Sequence, residues 1–159
     1  MTATAADDLR TNLIGAWALQ SYESSNINGS NVTHPPGVDA EGIIMYTPDG
    51  YMSAQLMRSD RLHFGGDDMH PRRLDELAAA ASGYLSYSGP YSVVGDGLIA
   101  HHIAISLLPN WIGGTQYRAG RLHGSVLELR PAEPILIGGQ RRNARLIWRR
   151  VPGPLHRDH

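Results

Sequence analysis

Two adjacent histidines, His101 and His102, stand inside an apolar run at residues 98–107, and histidine is the side chain whose unperturbed ionisation lies closest to neutral pH. In an extended chain successive side chains point to opposite faces. Only one of the pair can therefore enter an interior, and the two cannot ligate one metal together. His101 shares its face with Ile99, Ile103, Ile105 and Leu107, whereas His102 lies with Ala100, Ala104 and Ser106, so His101 is the inward candidate. In the preceding run Tyr87 and Tyr91 share a face with Leu85 and Val93, and in the following run Gln116 and Arg118 share one. A His or Tyr that moves a proton, beside an Arg or Gln that polarises a carbonyl in a dry pocket, suffices for enolisation, dehydration or cyclisation. His101 and Tyr87 are accordingly the candidate catalytic residues. Tyr46, Met52, Leu56, Tyr91, Ile103, Trp111, Gln116 and Arg118 are the candidate substrate-binding set. Each also has a plainer reading: His101 as a satisfied core residue, Arg118 and Gln116 as outward polar positions, Met52 as core filling, and Trp111 as a loop anchor rather than a lid.

Two absences narrow the chemistry further. The sequence contains no Cys, and all fourteen basic residues are Arg. Thiolate nucleophiles, thiolate-held metals and lysine imines are thereby excluded. The formal charge of −1 has no run of either sign, so no field is present to track a nucleic acid backbone or an anionic membrane. Residues 1–10 have neither a basic start nor an apolar segment of signal-peptide type, and no stretch is long and apolar enough to span a bilayer; a cytoplasmic location is expected. His63, Asp67, Asp68 and His70 match no standard metal spacing. Gly95-Asp96-Gly97 formally resembles a dinucleotide fingerprint, but a strand follows it instead of a helix. No metal and no cofactor are expected.

These residues must be positioned by short strands. Runs at 14–23, 41–47, 51–58, 84–94, 98–107, 115–121, 126–130 and 144–150 have β-type patterning, with Gly-rich turns between them. Pro48-Asp49-Gly50 joins the second and third runs as a hairpin, because Pro presets its φ and Gly accepts a positive one. Residues 8–13 can form one helical turn. Residues 72–82, opened by Pro71, form the convincing helix, with Leu74, Leu77, Ala78 and Ala81 on one face. At 159 residues this predicts one all-β domain, an antiparallel barrel of about eight strands with one short helix, over residues 13–151. Residues 1–12 form an N-terminal extension and residues 152–159 a flexible tail. Trp17 in the first strand and the Arg149-Arg150 pair closing the last become neighbours in a barrel, which allows a guanidinium to cover the indole.

The residues that carry this pattern resemble a known family. Gly15 and Trp17 look like the Gly-x-Trp start of lipocalins. The string from Gly42 to Ala54 is similar to the hairpin of the bacterial and fungal lipocalin-like domain family. So are Tyr87-Ser88-Gly89-Pro90-Tyr91, His101-His102, the Pro109–Gly113 segment with Gln116 and Arg118, and Trp148-Arg149-Arg150. The resemblance runs from about residue 13 to residue 150. It implies a calycin-type barrel with a ligand cavity, often associated with secondary metabolism, and related barrels range from carriers to cofactor-free cyclases and isomerases. Pro90 departs from the Thr- or Ser-like residue expected there, which puts the strand pairing around Tyr91 in question.

Two functions remain open on this reading, and the number of polar groups on the inward face favours the first, an enzyme. One is a cofactor-free isomerase, cyclase or dehydratase acting on a hydrophobic, polyketide-like metabolite. The other is a non-catalytic carrier in which the same residues only orient the ligand. A haem barrel with His101 or His102 as axial ligand is a third. The expected partner is a hydrophobic small molecule, and a monomer or homodimer is compatible with the chain.

Overall fold

The computed structural model describes residues 5–70 and 73–153. Eight antiparallel strands close into a barrel: β1 (Gly15–Ser25), β2 (Glu41–Tyr46), β3 (Tyr51–Met57), β4 (Tyr84–Val93), β5 (Leu98–His102), β7 (Thr115–His123), β8 (Val126–Pro131) and β10 (Gln140–Arg150). Each pairs with the next in that order, and β10 pairs back with β1. Closure removes the unpaired edges that an open sheet would expose. Two short strands lie off this circuit: β6 (Ile105–Ser106) pairs with β4, and β9 (Ile135–Ile137) pairs with the start of β10. β9 falls in a stretch to which the sequence pattern assigns no strand, and β10 begins four residues earlier than its apolar run.

Alternation along the strands sends Trp17, Leu19, Ile44, Tyr46, Met52, Ala54, Leu56, Tyr87, Val93, Ile99, Leu127, Leu129 and Trp148 into one buried core. One end of the barrel is sealed. Helix α1 (Ala5–Asn12) packs against β4 and β7 there, and its Leu9, with Leu13 just beyond, is buried in the core. The N-terminal extension is thus partly a plug. The Arg150 guanidinium lies 4.1 Å from the centre of the Trp17 ring, and Trp17 Nε1 donates to the Leu13 carbonyl at 2.9 Å. Gly15 makes this approach possible. Its φ is +129°, and a Cβ there would stand 2.9 Å from the Arg150 guanidinium, so a side chain is disfavoured both by backbone and by space.

Two irregularities reshape the interior. In β1 the register against β10 shifts between Leu19 and Ser21, leaving Gln20 as the extra residue of a bulge. Trp17 and Leu19 face inward below it, and Tyr22 and Ser24, paired with inward Leu146 and Ala144, face inward above it. The second lies between β4 and its neighbours. Gly89 and Pro90 stand between the pairs Tyr91↔His101 and Ser88↔Ile105, while three residues, His102, Ile103 and Ala104, occupy the opposite span. Pro90 has no N–H to offer the ladder, and it sits where the ladder is already interrupted. β4 still pairs continuously with β3 through Tyr51↔Pro90.

This second bulge corrects the expected face of residues 98–107. His101, Ile99 and Ile103 are buried, but Ile105 is 71% exposed and Leu107 is 37% exposed. The extra residue reverses the alternation, so neither joins the His101 face. Helix α2 (Leu74–Ser82) forms where its pattern predicts, but none of its residues is buried, and Leu74 is 80% exposed. Its apolar side, with Leu74, Leu77, Ala78 and Ala81, stays exposed instead of entering a core. The proposed start of this helix at Pro71 and Arg72 lies outside the described residues, as does most of the C-terminal tail. Among the described residues no helix is long and apolar enough to cross a membrane.

Candidate functional site

His101 is fully buried, and both of its ring nitrogens meet tyrosines. Nε2 lies 2.8 Å from the Tyr46 hydroxyl and Nδ1 lies 3.1 Å from the Tyr87 hydroxyl. The three residues come from β2, β5 and β4. Tyr46 reaches across the barrel floor, while Tyr87 lies four residues along β4 from Tyr91, the register partner of His101. Burial depresses the His101 pKa to about 3, with the nearby positive charges of Arg118 and His102 acting in the same direction. The imidazole is therefore neutral at neutral pH. One of its nitrogens donates to a phenol oxygen and the other accepts a phenol O–H. Burial also raises the Tyr46 pKa well above that of an ordinary phenol, so its proton stays in place.

The aromatic surroundings of this triad differ at its two ends. Tyr91 meets Tyr46 edge-on at 4.9 Å between ring centres, but its own hydroxyl donates to the Thr47 carbonyl at 3.1 Å, at the sealed end. Trp111 comes from the 3-10 turn Pro109–Trp111 in the β5–β7 loop and meets Tyr87 edge-on at 5.4 Å. It thus lies on the open side of the triad. Met52 and Ile103 are buried in the dry part of the barrel, and Leu56 is buried near the rim.

Above the triad the interior changes character. Tyr22, Leu85, Gln116, Arg118 and Leu146 all occupy inward-facing strand positions, yet they remain half-buried. Side chains that point inward and still meet solvent line an opening, and this end of the barrel is a cup. A cavity of about 200 Å³ opens at its rim beside Tyr22, Pro35, Pro36, Leu56 and Leu85. Arg118 pairs in register with buried Ile99, and its charge is felt by Tyr22, Tyr46 and His101. Its Nη1 donates to the Tyr117 carbonyl at 3.1 Å and lies 3.4 Å from Gln116 Oε1.

The structure therefore brings His101, Tyr87, Tyr46, Trp111, Gln116 and Arg118 to one interior, and it sets Tyr91 and Met52 toward the opposite end. His102 is exposed, with Nε2 3.1 Å from the Ser92 hydroxyl and Nδ1 3.1 Å from that of Thr115. Neither histidine presents a free ring nitrogen to a haem iron. Among the described residues no three His, Asp or Glu side chains gather as a metal cluster. A groove of about 1090 Å³ lies outside the barrel between α1 and the end of β7, and none of these candidates lines it.

Two contributors escape a reading based on alternation. Tyr22 enters the cup only because of the Gln20 bulge; counted from Trp17 in steps of two, it falls outside. Arg142 precedes the apolar run that marks β10. It is buried, and it donates to Ser24 Oγ at 2.7 Å, Asn26 Oδ1 at 2.8 Å and the Asn31 carbonyl at 2.7 Å. It thereby ties the β1–β2 loop, which carries Pro35 and Pro36, to the cup wall.

A closed antiparallel barrel with a sealed floor, a buried polar triad and an open cup defines the class of protein. The sequence belongs to the lipocalin-like domain family, whose model matches residues 14–151. It is 35% identical over 108 residues to the 4'-hydroxy-3'-methoxypropiophenone carrier protein ppsC of Aspergillus oryzae, an alignment covering 64% of this chain and 97% of that protein. Among solved structures, a lipocalin-like protein from Bacteroides uniformis is similar at 18% identity with a TM-score of 0.45, covering 87% of this chain and 98% of that one.

Proposed function

We propose that this chain binds a compact, largely apolar aromatic molecule in the cup and holds it without transforming it. The observation that carries this reading is the closed state of His101. A catalytic base needs a lone pair free for the substrate and a pKa near the working pH. Here both ring nitrogens are engaged by tyrosines, and the ring is protonated only near pH 3. What remains for a ligand is what a binding site needs: apolar walls with a few convergent polar groups, here Leu85 and Leu146 with Tyr22, Gln116 and Arg118. The relative named as a carrier of an aryl ketone supports the same choice. Ketone and phenol oxygens suit the Arg and Gln donors, and the ring suits Tyr22 and Trp111.

The alternative, a cofactor-free isomerase, cyclase or dehydratase, has one observation in its favour. Tyr87 touches both His101 and Trp111, so its hydroxyl is the member of the triad nearest the open side, where it can donate a hydrogen bond to a ligand carbonyl and polarise it. A thermal-shift and recovery experiment with 4'-hydroxy-3'-methoxypropiophenone separates the readings. At a ligand concentration of about 100 Kd, binding adds roughly 2.7 kcal/mol, which raises the Tm of a domain of this size by about 5–10 °C. Chromatography after prolonged incubation is then expected to return the ligand unchanged. Consumption that His101→Gln abolishes transfers the assignment to the enzyme, and the absence of any shift across a panel of aryl ketones overturns binding of this class.

A further inference from the structure

The charge inside the cup is one-sided. Arg118 points inward from β7, and none of the described carboxylates forms an ion pair with it within 4.0 Å. The carboxylates of the barrel strands, Glu23, Glu41 and Glu128, lie on outer positions. Glu128 is engaged outside by Arg130 at 2.7 Å and Arg145 at 3.0 Å. Glu133, in the β8–β9 connection, is exposed; it lines a groove of about 540 Å³ together with Gln116 and Arg118 but does not come within ion-pairing distance of the guanidinium. The groups that face the Arg118 side from the packed strands are instead neutral: Tyr22 from β1, Tyr46 from β2, Tyr87 from β4, His101 from β5 and Gln116 from β7 itself. Tyr22, Gln116 and whichever triad phenol does not give its O–H to His101 can donate to a ligand, and none of the five carries a negative charge. A half-buried guanidinium lacking a counter-ion is costly, and its field favours the ionised form of any acid placed beside it.

From this juxtaposition of an unpaired inward guanidinium with a ring of neutral hydroxyl donors, we infer that the cup takes its ligand as an oxyanion, the ionised form of a compact aromatic bearing an acidic hydroxyl, with Arg118 as the counter-cation. The inference rests on the binding reading above and adds the charge state of what is bound. It also assigns Tyr22 a role, as the phenol nearest the rim that donates to the anion. Burial raises the Tyr22 pKa, so Tyr22 remains a donor under conditions in which an acidic ligand has ionised.

The probe is 4-nitrophenol, whose ionisation is read from its own absorbance, compared with 4-nitroanisole, which has the same ring and no proton to lose. An opposite charge within hydrogen-bonding range lowers an acid's pKa by about 1–3. The bound nitrophenol is therefore expected to ionise at least one pH unit lower than the free compound, equivalent to a phenolate bound at least about tenfold more tightly than the phenol. Arg118→Gln, shown to be folded by circular dichroism, is expected to lose this displacement, and Arg121→Gln on the outer face of the same strand is expected to retain it. Two results overturn the oxyanion while leaving the binding reading intact: nitrophenol that binds with its pKa unchanged or raised, and nitroanisole that binds as tightly as the phenolate. A displacement that survives in Arg118→Gln overturns the role of Arg118. If neither probe quenches tryptophan fluorescence on titration, compact aromatic binding itself fails.

Discussion

Acidification tests the buried triad directly. His101 is neutral in the folded barrel because burial holds its pKa near 3, whereas in the unfolded chain it titrates near 6.5. Above pH 6.5 neither state binds the proton, and the barrel has its full stability with respect to this group. As the pH falls below 6.5 the unfolded chain takes up a proton that the folded barrel refuses, so stability is lost. The slope is about 1.4 kcal/mol per pH unit for one proton. Between pH 6.5 and pH 5 the loss is about 2 kcal/mol, and it accumulates to roughly 5 kcal/mol by pH 3, below which the folded state is protonated as well and the loss from this group stops. The upper part of that window is the cleanest, because Glu128 and Asp60, whose pKa values are lowered by their arginine partners, begin to contribute only at more acidic pH. Urea unfolding at half-unit pH steps, followed by tryptophan fluorescence, measures the slope. His101→Gln has no proton to exchange, so its stability, whatever its absolute value, is expected to decline by about 2 kcal/mol less than wild type over the same interval. A wild type as stable at pH 5 as at pH 7, or a variant with an unchanged slope, refutes a neutral buried imidazole.

Two other substitutions follow from the packing. Trp17 and Trp148 are both fully buried, but Trp17 Nε1 has the Leu13 carbonyl as partner and Arg150 over its ring, while Trp148 Nε1 is the buried side-chain polar atom, among the described residues, that finds none. Trp→Phe removes similar volume at each site, so the difference reports the polar contacts: Trp17→Phe is expected to cost about 2 kcal/mol more than Trp148→Phe in urea unfolding, and equal costs refute the assignment. Gly89→Ala places a methyl carbon 1.9 Å from the His102 carbonyl oxygen, whereas Gly66→Ala meets nothing within 4 Å. The first is expected to destabilise by about 3 kcal/mol or more and the second by less than about 0.5 kcal/mol, as read from thermal melting.

The barrel was legible in sequence where local rules act alone. Pro48-Asp49-Gly50 marks the β2–β3 hairpin because the turn chemistry is contained within three residues, and Met52, Ala54 and Leu56 face inward as their spacing requires. The covering of Trp17 by Arg150 is readable once the chain is taken to close, since the first and last strands must then meet. Legibility ends at the bulges. One extra residue inverts every later side chain of a strand, so Ile105 and Leu107 were placed on the wrong face and Tyr22 was missed. Arg142 was hidden for a different reason: its partners Ser24, Asn26 and Asn31 lie more than a hundred residues away in sequence, and nothing local distinguishes it from Arg141. The helix periodicity of α2 identified the helix correctly but could not reveal that its apolar face stays exposed, because periodicity reports a preference for burial and not the presence of a partner surface.

The bulge at Gln20 also constrains how this barrel can change its length. β1 is read in two frames that meet at one residue, odd positions inward below it and even positions inward above it. Removing Gln20 merges the frames and leaves every other side chain on its present face. Removing a residue elsewhere in the lower half of the strand, with the bulge left in place, shortens the frame under Trp17 and detaches the indole from Arg150. A further insertion above the bulge turns Glu23 toward Arg118 and gives the cup the carboxylate it now lacks. Gln20 is thus the position of this strand whose removal keeps every side chain on its present face.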